Sequence, residues 1–210
     1  MAVIGDVVKS RERAGTGWHR ELVEALDRVN AQLTAEQPLH STIGDEFQGL
    51  YRSVATALRA TLLVRLELPG GLDCRFGVGV GGYAETLGSA RPVQEGTAWW
   101  SARQAIVRAK SEEAGRHPSL RTWYEYEPDE DELAAPLHQG PTNAYLLARD
   151  HLVSHMDARS RRLLLGTIQG RTQTELAASE GIGQSAVSRN LRRNGAYAVL
   201  EGADLIGSTP

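Results

Sequence analysis

With 210 residues, the chain can bury a core and hold one domain plus a small second one. Its 41% hydrophobic and 23% charged residues exclude a disordered or fibrous chain, and its apolar runs are too short to span a bilayer. No basic stretch precedes an apolar one at the N-terminus, so a cytoplasmic protein with no membrane association is expected. The single cysteine, Cys74, rules out an intramolecular disulfide framework and a cysteine zinc site. It sits in an apolar run and is expected to be a buried, inert thiol.

Residues 2–8, β-branched and ended by polar residues, predict a buried strand. Trp18, Leu22, Leu26, Val29 and Leu33 predict a helix over 17–34 with one apolar face. Residues 39–44 and 47–52 predict two strands joined by the corner Gly44-Asp45-Glu46. A second helix is expected over 53–67, with Val54, Leu58, Thr61, Leu62 and Arg65 down one side. A strand over 73–80 then ends in the turn Gly81-Gly82. An Ala-rich helix over 95–114 and an aromatic strand over 121–126 follow. Trp99 and Trp100 point about 100° apart on that helix, so at most one faces the sheet squarely.

The order β-α-β-β-α-β opens a ferredoxin-like split unit, with two helices on one face of an antiparallel sheet. The fold class expected is α+β. In that topology Asp6 and Asp45 approach each other at one sheet end. Paired carboxylates there repel and draw a hard divalent cation such as Mg2+ or Mn2+. The metal in turn can hold a nucleoside triphosphate. The turn from Val8 towards Gly17 offers free backbone N–H groups for phosphate. Lys9, Ser10, Arg11 and Glu46 are expected beside the nucleotide. The plainer alternative is that Asp6 ends a strand and Gly44-Asp45 is an ordinary turn.

Three motifs together carry a resemblance. Gly5-Asp6-Val7-Val8, Ile43-Gly44-Asp45-Glu46-Phe47 and Arg75-Phe76-Gly77-Val78-Gly79-Val80-Gly81 are similar to the palm of class III nucleotidyl cyclases, GGDEF diguanylate cyclases and CRISPR-type polymerases. The resemblance implies that Asp6 and Asp45 hold the metals bridging the triphosphate. It also suggests a homodimer. Departures are visible: Ser41 stands where cyclases place a base-specifying Lys, Trp100 where they place an Asn, and Ile43 where GGDEF needs a Gly. Arg103 is one residue out of register. The base therefore stays open. A closer resemblance, covering most of the chain, is to the bacterial SatD family. It rests on Ile4 to Arg11, Gly44 to Gly49, and the helix carrying Ala102-Arg103 and Ala109-Lys110.

Charge is uneven along the chain. Residues 1–135 hold 15 Lys and Arg against 20 Asp and Glu, whereas residues 136–210 hold 8 against 6. The acidic run from Glu125 to Glu132 precedes the change of sign. A palm domain over 1–130, a linker over 127–141 and a small all-α domain over 141–210 are expected. Helices are predicted over 143–153 and 157–169. From Thr172 the sequence follows helix-turn-helix spacing, resembling the DNA-binding tail of sigma factors. Ala177 allows close helix crossing, Gly181 the turn and Val187 the anchor. Thr172 and Glu175 suit a capping box. Gln184, Ser185, Ser188, Arg189 and Arg192 are expected to face duplex DNA, with Arg159, Arg161, Arg162 and Arg171 near phosphates. A packing module that binds nothing is the alternative. A short helix around 197–205 closes the chain.

The function expected is a nucleotide- and metal-binding regulator whose helix-turn-helix contacts DNA. The alternative is a metal-dependent cyclase or oligonucleotide-synthesising enzyme with an accessory helical module.

Overall fold

The computed structural model describes residues 1–12, 17–85, 94–126 and 139–207. Strands β1 (Ala2–Val7), β2 (Gln37–Ser41), β3 (Glu46–Leu50), β4 (Cys74–Val80) and β7 (Thr122–Tyr126) form one sheet in the order β2-β3-β1-β4-β7. Every neighbouring pair is antiparallel except β4 with β7, which is parallel. β1 lies in the centre with β3 beside it, and β2 takes the edge. A two-stranded ribbon, β5 (Ala84–Glu85) with β6 (Gln94–Glu95), lies outside the sheet.

β1 is apolar at nearly every position because both faces of the sheet are covered. Val3, Val7, Phe47, Phe76 and Val78 pack against helices α1 (Gly17–Asn30) and α2 (Val54–Glu67). Ala2, Ile4 and Leu50 pack on the other face against α3 (Thr97–Ala114), through Ala98, Trp99, Ala102 and Ile106. The expectation of helices on one face thus holds for α1 and α2, and α3 adds a third layer. Of the two adjacent tryptophans, Trp99 is buried and Trp100 is 69% exposed.

The glycines of β4 set the depth of α3. A Cβ on Gly77 would lie 2.1 Å from the Ala102 carbonyl oxygen, and one on Gly79 would lie 2.1 Å from the Ala102 nitrogen. Only a strand without side chains there lets the helix backbone come so close.

The C-terminal helices are α4 (Gln139–His155), α5 (Ala158–Ile168), α6 (Gln173–Glu180), α7 (Gln184–Arg193) and α8 (Ala196–Gly207). Residues 127–138, most of the expected linker, lie outside the described residues. α4 covers the exposed edge of the sheet by mimicking a strand. Asn143 Oδ1 accepts the Tyr124 N–H and its Nδ2 donates to the Tyr124 carbonyl, at 2.9 and 2.8 Å. Asp150 Oδ2 accepts the Thr122 N–H at 2.6 Å, and Gln139 Oε1 accepts the Tyr126 N–H at 3.3 Å. Otherwise β7 would present unpaired backbone to other chains.

α2 is buried over most of its circumference because it is sandwiched. Its Leu58 and Leu63 join the sheet core, while Leu62 and Leu66 join the core of the C-terminal helices with Leu163, Leu164 and Val187. α6 ends at Gly181, whose φ of 63° is the left-handed turn predicted for it. Thr172 and Glu175 form the expected capping box. Ala177 and Val187 are buried where α6 meets α7.

Candidate functional site

Antiparallel pairing places Asp6 opposite Glu46 on one side and Arg75 on the other. Asp6 is two residues beyond Ile4 on β1 and so shares its face, the α3 side of the sheet. α3 lends Arg103, Lys110 and Glu113 to that surface. Arg75 Nη1 donates to both Asp6 oxygens at 2.9 and 3.0 Å, and its Nη2 to Glu113 at 2.5 Å. Arg103 donates with both Nη atoms to the two oxygens of Glu46, at 2.9 and 3.0 Å. Such forked pairs fix a side chain in direction as well as distance.

Asp45 lies at the corner before β3, next to Gly44 with its φ of 68°. It accepts the Ser10 hydroxyl at 2.5 Å. Ser10 reaches it because Lys9, at φ 57°, turns the chain sharply after β1. Asp45 stands close enough for its charge to act on Asp6. Burial is the largest cause raising the Asp6 carboxyl above its ordinary value. Arg75 and Lys110 pull it down, while Asp45 and Glu46 push it further up.

The structure therefore brings Asp6, Asp45, Glu46 and Ser10 together at one sheet end. Lys9 is exposed and pairs with Glu12 at 3.9 Å. The side chain of Arg11 lies outside the described residues. Cys74 is fully buried, and burial pushes its thiol well above the usual range, as an inert core thiol requires. Arg75, Arg103, Lys110 and Glu113 were not among the expected site residues. Arg75 opens the glycine strand motif, and its i, i+2, i+4 spacing to Gly77 and Gly79 puts it on the α3 face. That was the available signal.

No group of three His, Cys, Asp or Glu able to hold a metal ion exists among the described residues. Two carboxylates, Asp6 and Asp45, cannot enclose Mg2+ or Mn2+ alone. An ion held there would have to take its remaining ligands from phosphate oxygens and water.

Arg75 also begins a chain of ion pairs that leaves the site. Glu113 meets Arg121 at 3.1 Å, Arg121 meets Asp73 at 2.9 Å, and Asp73 meets Arg65 at 2.9 Å. Arg65 then meets Asp150 at 3.1 Å, and Asp150 meets Arg149 at 2.9 Å. Eight residues of alternating charge, from Asp6 to Arg149, thus connect the sheet end to α4. Arg65, Asp150 and Arg149 are essentially inaccessible to water. Burial alone would raise the Asp73 carboxyl, but Arg65, Arg121 and Arg161 together hold it below its ordinary value.

On α7, Gln184, Ser185, Arg189 and Arg192 are exposed and Ser188 is half-buried. Arg192 donates to Ser188 at 2.7 Å. The arginines of α5 are largely engaged: Arg162 and Arg159 pair with Glu180, and Arg161 is directed at the Arg65 and Val153 carbonyls. No helix of the described residues is long and apolar enough to cross a membrane.

The SatD family profile matches residues 1–200. The chain belongs to the SatD family. No curated protein and no solved structure matches it.

Proposed function

We propose that this SatD family member is a cytoplasmic regulator that binds a divalent metal with a nucleoside triphosphate and contacts duplex DNA. In this reading the β1-to-α3 unit is a ferredoxin-like palm and α6–α7 a helix-turn-helix. The observation that carries it is the gathering at one sheet end of three carboxylates, Asp6, Asp45 and Glu46, with three cations: Arg75 bonded to Asp6, Arg103 bonded to Glu46, and Lys110 near enough to act on Asp6. Mg2+ or Mn2+ at Asp6 and Asp45 would supply the positive charge that gathers the phosphate oxygens. Arg75 and Lys110 now neutralise Asp6. With a metal's charge added beside them, both become surplus cations for phosphate. Glu46 keeps Arg103 directed at the same region.

The DNA reading is supported by the exposed polar face of α7 and by the Gly181 turn that presents it. Coupling is supported by the ion-pair chain, because Arg75 serves both Asp6 and Glu113. Ile43, Trp100 and Val107 are 84%, 69% and 62% exposed on the hairpin and α3, and a second copy of the chain would cover them.

Incubation of the protein with each NTP and Mg2+ or Mn2+, read by chromatography and thermal shift, tests the palm. Stabilisation without product supports the regulator, and a new nucleotide product moves the reading to the enzyme. Titrations of genomic duplex fragments with and without NTP–metal test the coupling. A regulator should show a shift of roughly 5- to 150-fold in DNA affinity, matched by the effect of DNA on NTP affinity. Superimposable curves with nucleotide bound would separate the two activities.

A further inference from the structure

α7 presents two arginines without a partner among the described residues, Arg189 on the expected DNA face and Arg193 outside it. The C-terminal helices, residues 139–207, carry eight arginines. Six have partners: Arg149 with Asp150, Arg159 and Arg162 with Glu180, Arg161 with backbone carbonyls, Arg171 with the Glu175 carbonyl, and Arg192 with Ser188. Arg189 and Arg193 have no hydrogen-bond or ion-pair partner among the described residues. They stand one turn apart and line the same polar recess, of about 390 Å3, between the start of α5 and α7. Both are exposed, and like charges one turn apart repel weakly, so an anion seated between them would relieve that repulsion.

The wall between them is built from amides and a hydroxyl. Asn190 and Asn194, also one turn apart, each donate through Nδ2 to the buried Ser160 Oγ, at 3.0 and 3.2 Å. Asn190 Oδ1 is buried and has no partner. Asn190 Nδ2 gives one N–H to Ser160 and keeps a second for a ligand. The one carboxylate lining the recess, Asp157, is occupied as the α5 cap: its Oδ1 accepts the Ser160 N–H at 2.7 Å. His155 completes the lining. Forked guanidinium groups with amide donors behind them match the oxygens of a phosphate group.

We infer that this recess is a phosphate site, with Arg189 and Arg193 as its cationic walls and Asn190 as a donor behind them. The phosphate can belong to a DNA strand or to a free phosphate-bearing molecule. Only the first source rests on the DNA reading above. If it is the source, Arg189 and Arg193 hold the backbone beside the groove, and base reading falls to Gln184, Ser185 and Ser188.

The test uses the full chain, with Arg189→Gln, Arg193→Gln and the charge-matched control Arg20→Gln on α1. Inorganic phosphate is followed by NMR on the side-chain amide signals of Asn190 and Asn194. A duplex DNA is titrated by anisotropy at several salt concentrations. Wild type and Arg20→Gln should show saturable amide shifts with phosphate, and each recess variant should bind it roughly three- to tenfold more weakly. If the source is DNA, Arg193→Gln should also weaken DNA binding by a similar factor, and its salt slope should shrink by about one. If phosphate binding responds to the variants while DNA binding does not, or no variant or wild type binds DNA, the site holds a free anion. In the second case the DNA reading fails and the site stands; in the first, DNA is held elsewhere on the protein. If neither phosphate nor DNA binding distinguishes the recess variants from Arg20→Gln, the inference is wrong.

Discussion

Replacing Asp150 with Asn changes one atom and tests whether the sheet and the C-terminal helices are one energetic unit. Asp150 Oδ1 accepts three guanidinium N–H groups, one from Arg65 at 3.1 Å and two from Arg149 at 3.0 and 2.9 Å. Oδ2 accepts the Arg121 and Thr122 backbone N–H groups at 2.8 and 2.6 Å. In Asp150→Asn, one of these two sets meets an NH2 group instead of an acceptor. Two buried arginines also lose a counterion they share. Breaking a fully buried pair from one side costs about 3–5 kcal/mol. At this chain length each kcal/mol lowers Tm by about 2–4 °C, so a drop of about 6–20 °C is expected. All four tryptophans lie at or before Trp123, so their fluorescence reports on the sheet unit, while far-UV ellipticity also weighs the C-terminal helices. In the wild type both signals should unfold together. Asp27→Asn, exposed on α1, should change stability by less than about 0.5 kcal/mol. A Tm drop under about 2 °C in Asp150→Asn, or separate transitions in the wild type, would refute the reasoning.

Asp73 sets an acid limit on stability. Its folded carboxyl lies below the ordinary value, so its contribution is complete above that value and is lost as pH falls through the lowered one. Thermal melts from pH 7 downward should show stability falling below about pH 4, and Asp73→Asn should flatten that fall; an unchanged slope would contradict it. Gly79→Ala should push α3 off β4, at about 1–3 kcal/mol or more, and should weaken nucleotide binding because Arg103 and Lys110 move with the helix. Calorimetry with NTP–metal checks the second half. Thr172→Ala removes the α6 cap and should cost about 0.5–2 kcal/mol, measured by denaturant unfolding.

The sequence made the sheet strands, α1 to α3 and the α6–α7 turn legible because each has a local cause. Alternating or continuous apolar runs, Gly44 and Gly181 at left-handed positions, and the Thr172–Glu175 box act over a few residues. The candidate site was half legible. Asp6 and Asp45 stand in recognisable motifs, but Arg75, Arg103 and Glu113 gain their meaning only from register and from the approach of α3. The union of the two parts was hidden for the same reason. Asn143 and Asp150 read as ordinary helix residues, and nothing local says that they satisfy the backbone of a strand some twenty to thirty residues earlier. One further signal stands in the sequence: Val54, Ala57, Leu58, Ala60, Leu62, Leu63, Val64 and Leu66 spread round more of the helix than one packed face can explain.

The central claim is tested most directly by the stability of wild type, Asp6→Asn and Asp45→Asn, each with and without Mg2+ plus a nucleoside triphosphate. Ligand at about a hundred times its dissociation constant adds about 2.7 kcal/mol, or roughly 5–11 °C in Tm. The account predicts that gain for the wild type and its loss in both variants, each compared with its own metal-free melt. Equal gains in all three proteins, or none in any with every nucleotide and either metal, would contradict a metal–nucleotide site at Asp6 and Asp45.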